Sequence, residues 1–182
     1  ANGDSVINTL NHIYFENLNT CPNKSYIESM RACKGTKRGN YKRKAVALTF
    51  DDGPNGKYTN EILNILRLNN IKATFFFIGK NMEAQKNIVE TAYADGHIIG
   101  NHTYSHHYLT RLSEKEIKDE LEQTSMIVEK IIERSPLLFR PPYGLCSDQS
   151  AKIAKNLGFK TILWSAAVDD FHTHSTTSNK IA

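Results

Sequence analysis

The sequence predicts an α/β fold, a (β/α) barrel of the TIM type, and three observations support this prediction. From residue 45 onward, short apolar runs typical of buried strands alternate with amphipathic helical patterns. Such alternation favours parallel strands covered by helices. Polar residues suited to chemistry follow the strand runs, at the end where such barrels place their functional groups. The length of 182 residues suits one domain with a sizeable core.

Two strand–helix units are predicted in the first half of this region. The apolar run at residues 45–50 ends in a Gly-Pro turn, and residues 58–68 follow it with a helical pattern. The Phe-rich run at residues 73–78 is the second strand, because aromatic residues favour strands. A helix is predicted after it, over residues 82–94.

The second half repeats this order. Ser113 and Glu116 form a capping box that begins a long helix. The apolar face of this helix comprises Ile117, Leu121, Val128, Ile131 and Ile132. Further elements are a strand at 137–140, a helix at 148–157 that Gly158 stops, and a strand at 161–164. About five strands are predicted in all.

Two adjacent carboxylates, Asp51 and Asp52, end the first strand in the motif Asp-Asp-Gly-Pro. Side chains alternate along a strand, but at a strand end that leaves through Gly-Pro both acids can face one cavity. We expect one of them to bind a metal ion and the other to act as a base. The alternative is an ordinary turn, which the same four residues also favour.

Two histidines, His102 and His106, are spaced by four residues. On a helical turn this spacing places both imidazoles on one face. With Asp52 as a third ligand, two nitrogens and one carboxylate oxygen leave a position for water, which is the ligand count of a catalytic zinc site. A solvated surface turn is the alternative for an isolated histidine pair.

Arg140 leaves a predicted strand and is followed by Pro141 and Pro142, which stiffen the backbone. An arginine at this position can hold a carboxylate in bidentate fashion. A rigid loop can also direct a backbone N–H at a developing oxyanion. The alternative is an ordinary strand-exit turn with a surface arginine.

These three segments resemble the first three motifs of the polysaccharide deacetylase family, the NodB homology domain. The matching residues are 49–54, 102–106 and 140–144, and residues 72–76 and 96–101 resemble a second strand and the approach to the histidines. The resemblance runs from about residue 44 to about residue 171. It implies a distorted, incomplete barrel that removes N-acetyl groups from N-acetylglucosamine polymers of the chitin or peptidoglycan type.

The resemblance also implies the roles of individual residues. Asp51 is expected to be the catalytic base, with Arg140 fixing it and the backbone N–H of Tyr143 stabilising the oxyanion. The expected ligands of one divalent metal ion, zinc or cobalt, are Asp52, His102 and His106. The expected substrate pocket includes Pro142, Asp170 and Phe171.

The C-terminal part departs from the family pattern. The family's general acid, a histidine in a Leu-x-His triplet, is not found after Trp164, and residues 167–171 read Ala-Val-Asp-Asp-Phe instead of Asp-x-x-Asp-Trp. We therefore expect either a C-terminally truncated chain or a fold closed differently. A catalytically silent sugar-binding or wall-coat relative is the alternative function, and a hydrolase of small non-sugar amides is a third.

Composition and cysteines bear on location and partners. Apolar runs are far shorter than the roughly 20 residues that cross a bilayer. The three cysteines suit an oxidising compartment if Cys21 pairs with Cys33, whereas buried thiols are the alternative. We expect a secreted, wall-associated monomer with a basic N-terminal extension over residues 1–43 and a catalytic domain over 44–182. The basic run from Lys34 to Lys44 has little aromatic content, so nucleic acid is not an expected partner.

Overall fold

The computed structural model describes residues 33–39, 42 and 44–166. The predictions that concern Cys21, Asp170 and Phe171 therefore lie outside the described residues. Within them lie five strands, the number predicted from the sequence, although no range was predicted for the strand at Ile98–Asn101, and five α-helices that connect the strands. In chain order these elements are β1 (Thr49–Asp51), α1 (Tyr58–Leu68), β2 (Thr74–Phe77), α2 (Gly79–Ala84), α3 (Lys86–Ala94), β3 (Ile98–Asn101), α4 (Glu114–Ile132), β4 (Leu138–Phe139), α5 (Asp148–Asn156) and β5 (Lys160–Thr161).

The five strands form one parallel sheet in the order β1-β2-β3-β4-β5. Sequential parallel neighbours joined by helices are the arrangement of a (β/α) barrel. In the described part of the chain, β1 and β5 do not pair, so hydrogen bonds do not close the barrel. The predicted α/β class and incomplete barrel are confirmed.

Several predicted boundaries are wrong. The first strand begins at Thr49 instead of residue 45, and Val46 is 88% exposed. The pairing with β2 begins at Thr49, so Val46 lies before the start of the sheet. The single helix predicted over 82–94 is two helices, α2 and α3, which meet at Gln85 with φ −139° and ψ 48°. The side chain of Gln85 donates to the carbonyl of Pro54 at 3.0 Å, which ties this break to the loop after β1.

The two core clusters lie on one face of the sheet, because the strand register pairs Phe77 with Asn101 and Asn101 with Phe139. One cluster joins β2 to the helices α1, α2, α3 and α4, and its fully buried members include Phe75, Phe77, Met82, Val89 and Val128. A second cluster packs α4 and α5 against β4, and includes Leu109, Ile117, Leu121, Phe139 and Ala154. Gly100 of β3 lies against the ring of Phe76, where an added Cβ would be 2.6 Å from a ring carbon. A side chain at this position would displace Phe76.

Helix α4 begins with the predicted capping box. The hydroxyl of Ser113 accepts from the backbone N–H of Glu116, whose carboxylate accepts in return from the N–H of Ser113. Ile117 and Leu121 of the predicted apolar face are fully buried. The helix is thereby fixed at its start and along one side, and it passes behind β3. No helix in residues 33–39, 42 and 44–166 is long and apolar enough to cross a membrane.

Residues 33–36 are attached to the domain. The N–H of Thr36 donates to Thr161 at 2.9 Å, and Leu163 donates back to Thr36, so this segment runs beside β5. It brings Cys33 to Cys146, and the two form a disulfide. The sequence left the pairing of the three cysteines open, and the backbone decides it by placing Cys33 next to Cys146 in the loop before α5.

Candidate active site

Three side chains converge at the carboxyl ends of β1 and β3. Asp52 follows β1, and its Oδ1 lies 3.3 Å from Nε2 of His102 and 3.1 Å from Nε2 of His106. One ligand atom from each of the three residues lies within 4.8 Å of the others. His102 is buried, whereas the side chain of Asp52 is 67% exposed. The structure thus brings together the three residues predicted as metal ligands, with access from solvent.

The expected helical turn under the histidines is wrong. Residues 102–106, here called the histidine loop, form bends between β3 and a 3-10 turn at Leu109–Arg111. Thr103 and His106 have positive φ, 65° and 61°. Both imidazoles still face Asp52, because these two residues turn the backbone sharply between the ligands.

The orientation of His102 tests whether a metal ion suits the site. Its Nδ1 lies 2.7 Å from the carbonyl oxygen of Arg140. A carbonyl can only accept, so Nδ1 carries a proton and Nε2 is the ring nitrogen that faces Asp52. The close contact of Nε2 with a carboxylate oxygen is favourable only with a proton or a metal ion between the two atoms. The donor set therefore fits a divalent metal ion, and Arg140 acts as the backbone partner that such histidine ligands usually have.

Asp52 is held by its backbone as well as by its side chain. Its φ is 71°, a left-handed conformation, and Nδ2 of Asn81 donates to its carbonyl at 2.9 Å. The pKa of the Asp52 carboxyl lies well below its usual range, first because of hydrogen bonding to His102 and then to His106. Burial opposes this shift. The group is therefore an anion at neutral pH, as a metal ligand must be.

Arg140 connects the acids to the sheet. Its Nη1 lies 2.6 Å from Oδ1 of Asp51 and 2.8 Å from Oγ1 of Thr49, and its Nε donates to the carbonyl of Ile162. The expected bidentate pair is thus a single contact from Nη1, which also binds Thr49 of β1, because Nε is directed to the carbonyl of Ile162 just after β5. Arg140 is 2% exposed and its guanidinium carbon lies 4.2 Å from the centre of the Phe76 ring.

Tyr143 and Pro142 form a 3-10 turn after β4, in which Pro142 is buried. Tyr143 has φ 61°, and its ring packs edge-on against His106 with centroids 4.7 Å apart. Tyr108 stacks on Tyr143 at 4.1 Å, and the guanidinium of Arg111 covers the ring of Tyr108 at 4.8 Å. Burial is the main reason why the pKa of the Tyr143 phenol is raised. The aromatic stack fixes the turn beside the metal ligands.

Sequence reasoning missed several residues that shape this site. Tyr108 stands only two positions after His106, but nothing in a single sequence indicates that it stacks on Tyr143. Trp164 was assigned only to a strand, and its ring lies 5.3 Å from the Arg140 guanidinium carbon and is 39% exposed. Asn81 is a polar residue on a short helix, and no pattern distinguishes it from its surface neighbours.

The fold and the site define a class of protein, an α/β barrel with an Asp-His-His cluster that could hold a metal ion at the carboxyl end of its strands. Residues 38–162 match the sequence profile of the family described as polysaccharide deacetylase. The chain belongs to the polysaccharide deacetylase family.

Individual relatives agree with this membership. The chain is 41% identical over 133 residues to a peptidoglycan-N-acetylglucosamine deacetylase of Bacillus cereus, covering 73% of this chain and 48% of the relative. It is 36% identical to the peptidoglycan-N-acetylmuramic acid deacetylase PdaA of Bacillus subtilis, covering 79% and 55%. The chain therefore spans about half the length of these curated relatives.

Solved structures show the same fold. A peptidoglycan N-acetylglucosamine deacetylase bound to a hydroxamate-type benzamide superposes with a TM-score of 0.70 and 38% identity, covering 79% of this chain and 66% of the other. A CE4 family pseudoenzyme from Bacillus anthracis superposes with a TM-score of 0.68 and 30% identity, covering 76% and 49%. The fold is therefore shared by active and inactive proteins.

Proposed function

We propose that this chain carries the active site of a metal-dependent hydrolase that removes N-acetyl groups from N-acetylglucosamine units of a cell-wall glycan, with peptidoglycan as the polymer. One observation carries the proposal. Neighbouring carboxylates face different partners, since Asp52 faces two histidines and Asp51 faces Arg140. Amide hydrolysis at a metal centre requires both a ligand and a separate base. The names of the bacterial relatives support peptidoglycan over chitin.

The ligands in this proposal are Asp52, His102 and His106, and the ion is zinc, with cobalt as an alternative. Two imidazole nitrogens and one carboxylate oxygen suit zinc better than magnesium or calcium. When bound, a divalent ion acidifies water and polarises a carbonyl oxygen.

The residues of the chain supply the remaining chemistry. Asp51 takes a proton from the attacking water, and Arg140 orients its carboxylate through the 2.6 Å contact. The backbone N–H of Tyr143 donates to the acetyl oxygen as negative charge develops there. Pro142, buried in the turn after β4, contributes to the pocket for the acetyl group, and the same role is proposed from the sequence for Asp170 and Phe171, which lie outside the described residues. One water is consumed, its hydroxyl going to acetate and its proton to the amine of the sugar.

We also propose that the protein acts outside the cell, at the wall. The disulfide between Cys33 and Cys146 supports this location, because disulfides form and persist in oxidising compartments. Its polymeric substrate lies in the same place.

Acetate release tests the proposal. The purified chain is loaded with Zn²⁺ or Co²⁺, and acetate is measured with peptidoglycan glycan strands, chitin oligomers and small cyclic amides. Asp52→Asn should abolish acetate release and metal binding together, because asparagine tolerates the left-handed backbone at this position but lacks the charge. Asp119→Asn, an exposed acid on α4, is the matched control and should behave as wild type. Full activity of Asp52→Asn would refute the mechanism.

A catalytically silent wall-binding relative is the second candidate function. The observation that favours it is the altered motif at residues 167–171, together with the similarity to a CE4 family pseudoenzyme. This function predicts binding to glycan strands without acetate in any metal-loaded sample. Measurable turnover on glycan strands would exclude it.

A further inference from the structure

The backbone of the histidine loop is fully engaged by hydrogen bonds. The N–H groups of residues 102 to 106 donate, in order, to the carbonyl of Phe77, Oδ1 of Asn101, Oε2 of Glu120, again Oε2 of Glu120, and Oγ1 of Thr103. Among these acceptors, only Glu120 lies on a helix that covers the sheet, α4. Its two backbone contacts, to Tyr104 and Ser105, are both 2.8 Å. Its other oxygen accepts from the hydroxyl of Ser105.

Glu120 is itself fixed in place. It lies on α4 next to the fully buried Leu121, and the capping box secures the start of this helix. The carboxylate is half-buried, where a charged acceptor forms stronger hydrogen bonds than in water. α4 also accepts from Nδ2 of Asn101 through the carbonyl of Leu121, at 2.9 Å. The helix therefore holds both the start and the middle of the loop.

The conformation of the loop explains why such support is needed. Thr103 and His106 adopt positive φ, which is uncommon for residues other than glycine; asparagine, aspartate and histidine adopt it more readily than most residues, and threonine seldom does. The two N–H groups bound by Glu120 lie between these residues. A free loop would relax toward ordinary backbone angles, and His106 would then turn away from Asp52.

We propose that Glu120 is a positioning residue for the metal centre. It holds His106 within reach of the ion through the two backbone amides and one hydroxyl that it binds, without contacting the ion. This inference rests on the proposed metal site.

Further backbone hydrogen bonds hold the histidine loop independently of Glu120, so the fold should stay intact when Glu120 is replaced. The carbonyls of Thr103 and Tyr104 accept from the N–H groups of Gly79 and Lys80 at the start of α2, at 2.9 and 3.1 Å. Glu120→Ala should therefore fold, with a loosened loop between the two histidines.

The test compares variants of the full chain by their affinity for Zn²⁺ and Co²⁺, measured by competition with a chromophoric chelator. Glu120→Ala should bind about 10 to 100-fold more weakly, as is typical when support for a ligand is lost. Glu120→Gln should lose less than about tenfold, because its carbonyl oxygen can still accept from both amides. Glu129→Ala, an exposed glutamate on the same helix, is the matched control and should equal wild type.

Two further measurements separate positioning from general stabilisation. The absorption spectrum of the Co²⁺ form should change in Glu120→Ala, because an altered position of His106 changes the geometry around the ion. The control for general stability is a variant with a substitution outside the loop, chosen because its metal-free melting temperature falls as much as that of Glu120→Ala. Only Glu120→Ala should lose affinity for Zn²⁺ and Co²⁺. If Glu120→Ala fails to fold, Ser105→Ala removes the hydroxyl contact alone and should weaken binding about 2 to 10-fold.

The outcomes are distinct. Wild-type affinity and an unchanged Co²⁺ spectrum in Glu120→Ala would overturn the inference while leaving the proposed function in place. No metal binding by wild type would overturn both. Weakened binding that Glu120→Gln largely restores would establish the positioning role.

Discussion

Burial should decide the strength of the ion pair between Arg140 and Asp51. Arg140 Nη1 lies 2.6 Å from Asp51, and the exposed pair Arg67–Asp95 has the same N–O distance of 2.6 Å. The side chain of Arg140 is 2% exposed, whereas that of Arg67 is 53% exposed. The two pairs therefore have the same shortest distance and differ in the burial of the arginine, and Arg67 has in addition a second contact, from Nε to Oδ1 of Asp95 at 3.2 Å.

Double-mutant cycles measure the coupling free energy of each pair. A hydrogen bond between charged groups contributes about 1.5 to 3 kcal/mol when shielded, and Asp51 is 27% exposed, so we expect the lower part of this range, about 2 kcal/mol. An exposed pair contributes about 0.2 to 1 kcal/mol. The variants are Arg140→Met with Asp51→Ala, and Arg67→Met with Asp95→Ala.

Urea unfolding followed by circular dichroism gives the stability of each variant at low and high salt. In 1 M NaCl the Debye length is about 3 Å, so interactions between exposed charges are strongly screened. We expect the Arg140–Asp51 coupling to persist at this salt concentration and the Arg67–Asp95 coupling to disappear. Equal couplings in the two cycles, or less than about 0.5 kcal/mol for the buried pair, would refute the reasoning. The assay also tests whether Arg140 holds the proposed base in place.

Three further predictions concern the scaffold. Cys146→Ser should lower the free energy of unfolding by about 2 to 5 kcal/mol, because the link to Cys33 spans 113 residues, and dithiothreitol should have no further effect on this variant. Burial lowers the pKa of His97 below 6.5, so its contribution to stability is present above this pH and is lost as the pH falls through it. His97→Asn should therefore flatten the dependence of the free energy of unfolding on pH in this range by up to about 1.4 kcal/mol per pH unit, and an unchanged dependence would contradict this. Gly100→Ala should cost about 1 to 3 kcal/mol by displacing a buried ring, whereas Gly39→Ala, in open space, should be neutral.

Much of the scaffold was predictable because its signals are local. The capping box of Ser113 and Glu116 and the apolar face of α4 depend on residues within a few turns of one another, and both were found. The strand order follows from the alternation of strands and helices. The ends of β1 were not predictable, because whether an apolar run is covered depends on neighbours distant in sequence.

The site was predictable in composition and less so in geometry. Asp52, His102 and His106 were identified from residue type and spacing, and the structure places them together. The helical turn was wrong because spacing alone does not distinguish a helix from a bent loop. Glu120 was not noticed, since a glutamate on an amphipathic helix is usually solvated, and only the folded loop shows what it binds.

The backbone angles explain why this site resists prediction from sequence. In the described part of the chain, six residues other than glycine have positive φ: Asp52, Asn70, Thr103, Glu133, His106 and Tyr143. Asn70 and Glu133 follow the ends of α1 and α4, where a left-handed residue is common. The other four belong to the site; aspartate and histidine adopt this conformation more readily than most residues, whereas threonine and tyrosine seldom do. Their geometry must therefore come from the contacts of the folded protein. Strain of this kind concentrates at functional sites, so a helix that supports the strained loop contributes to function through residues that never touch the substrate.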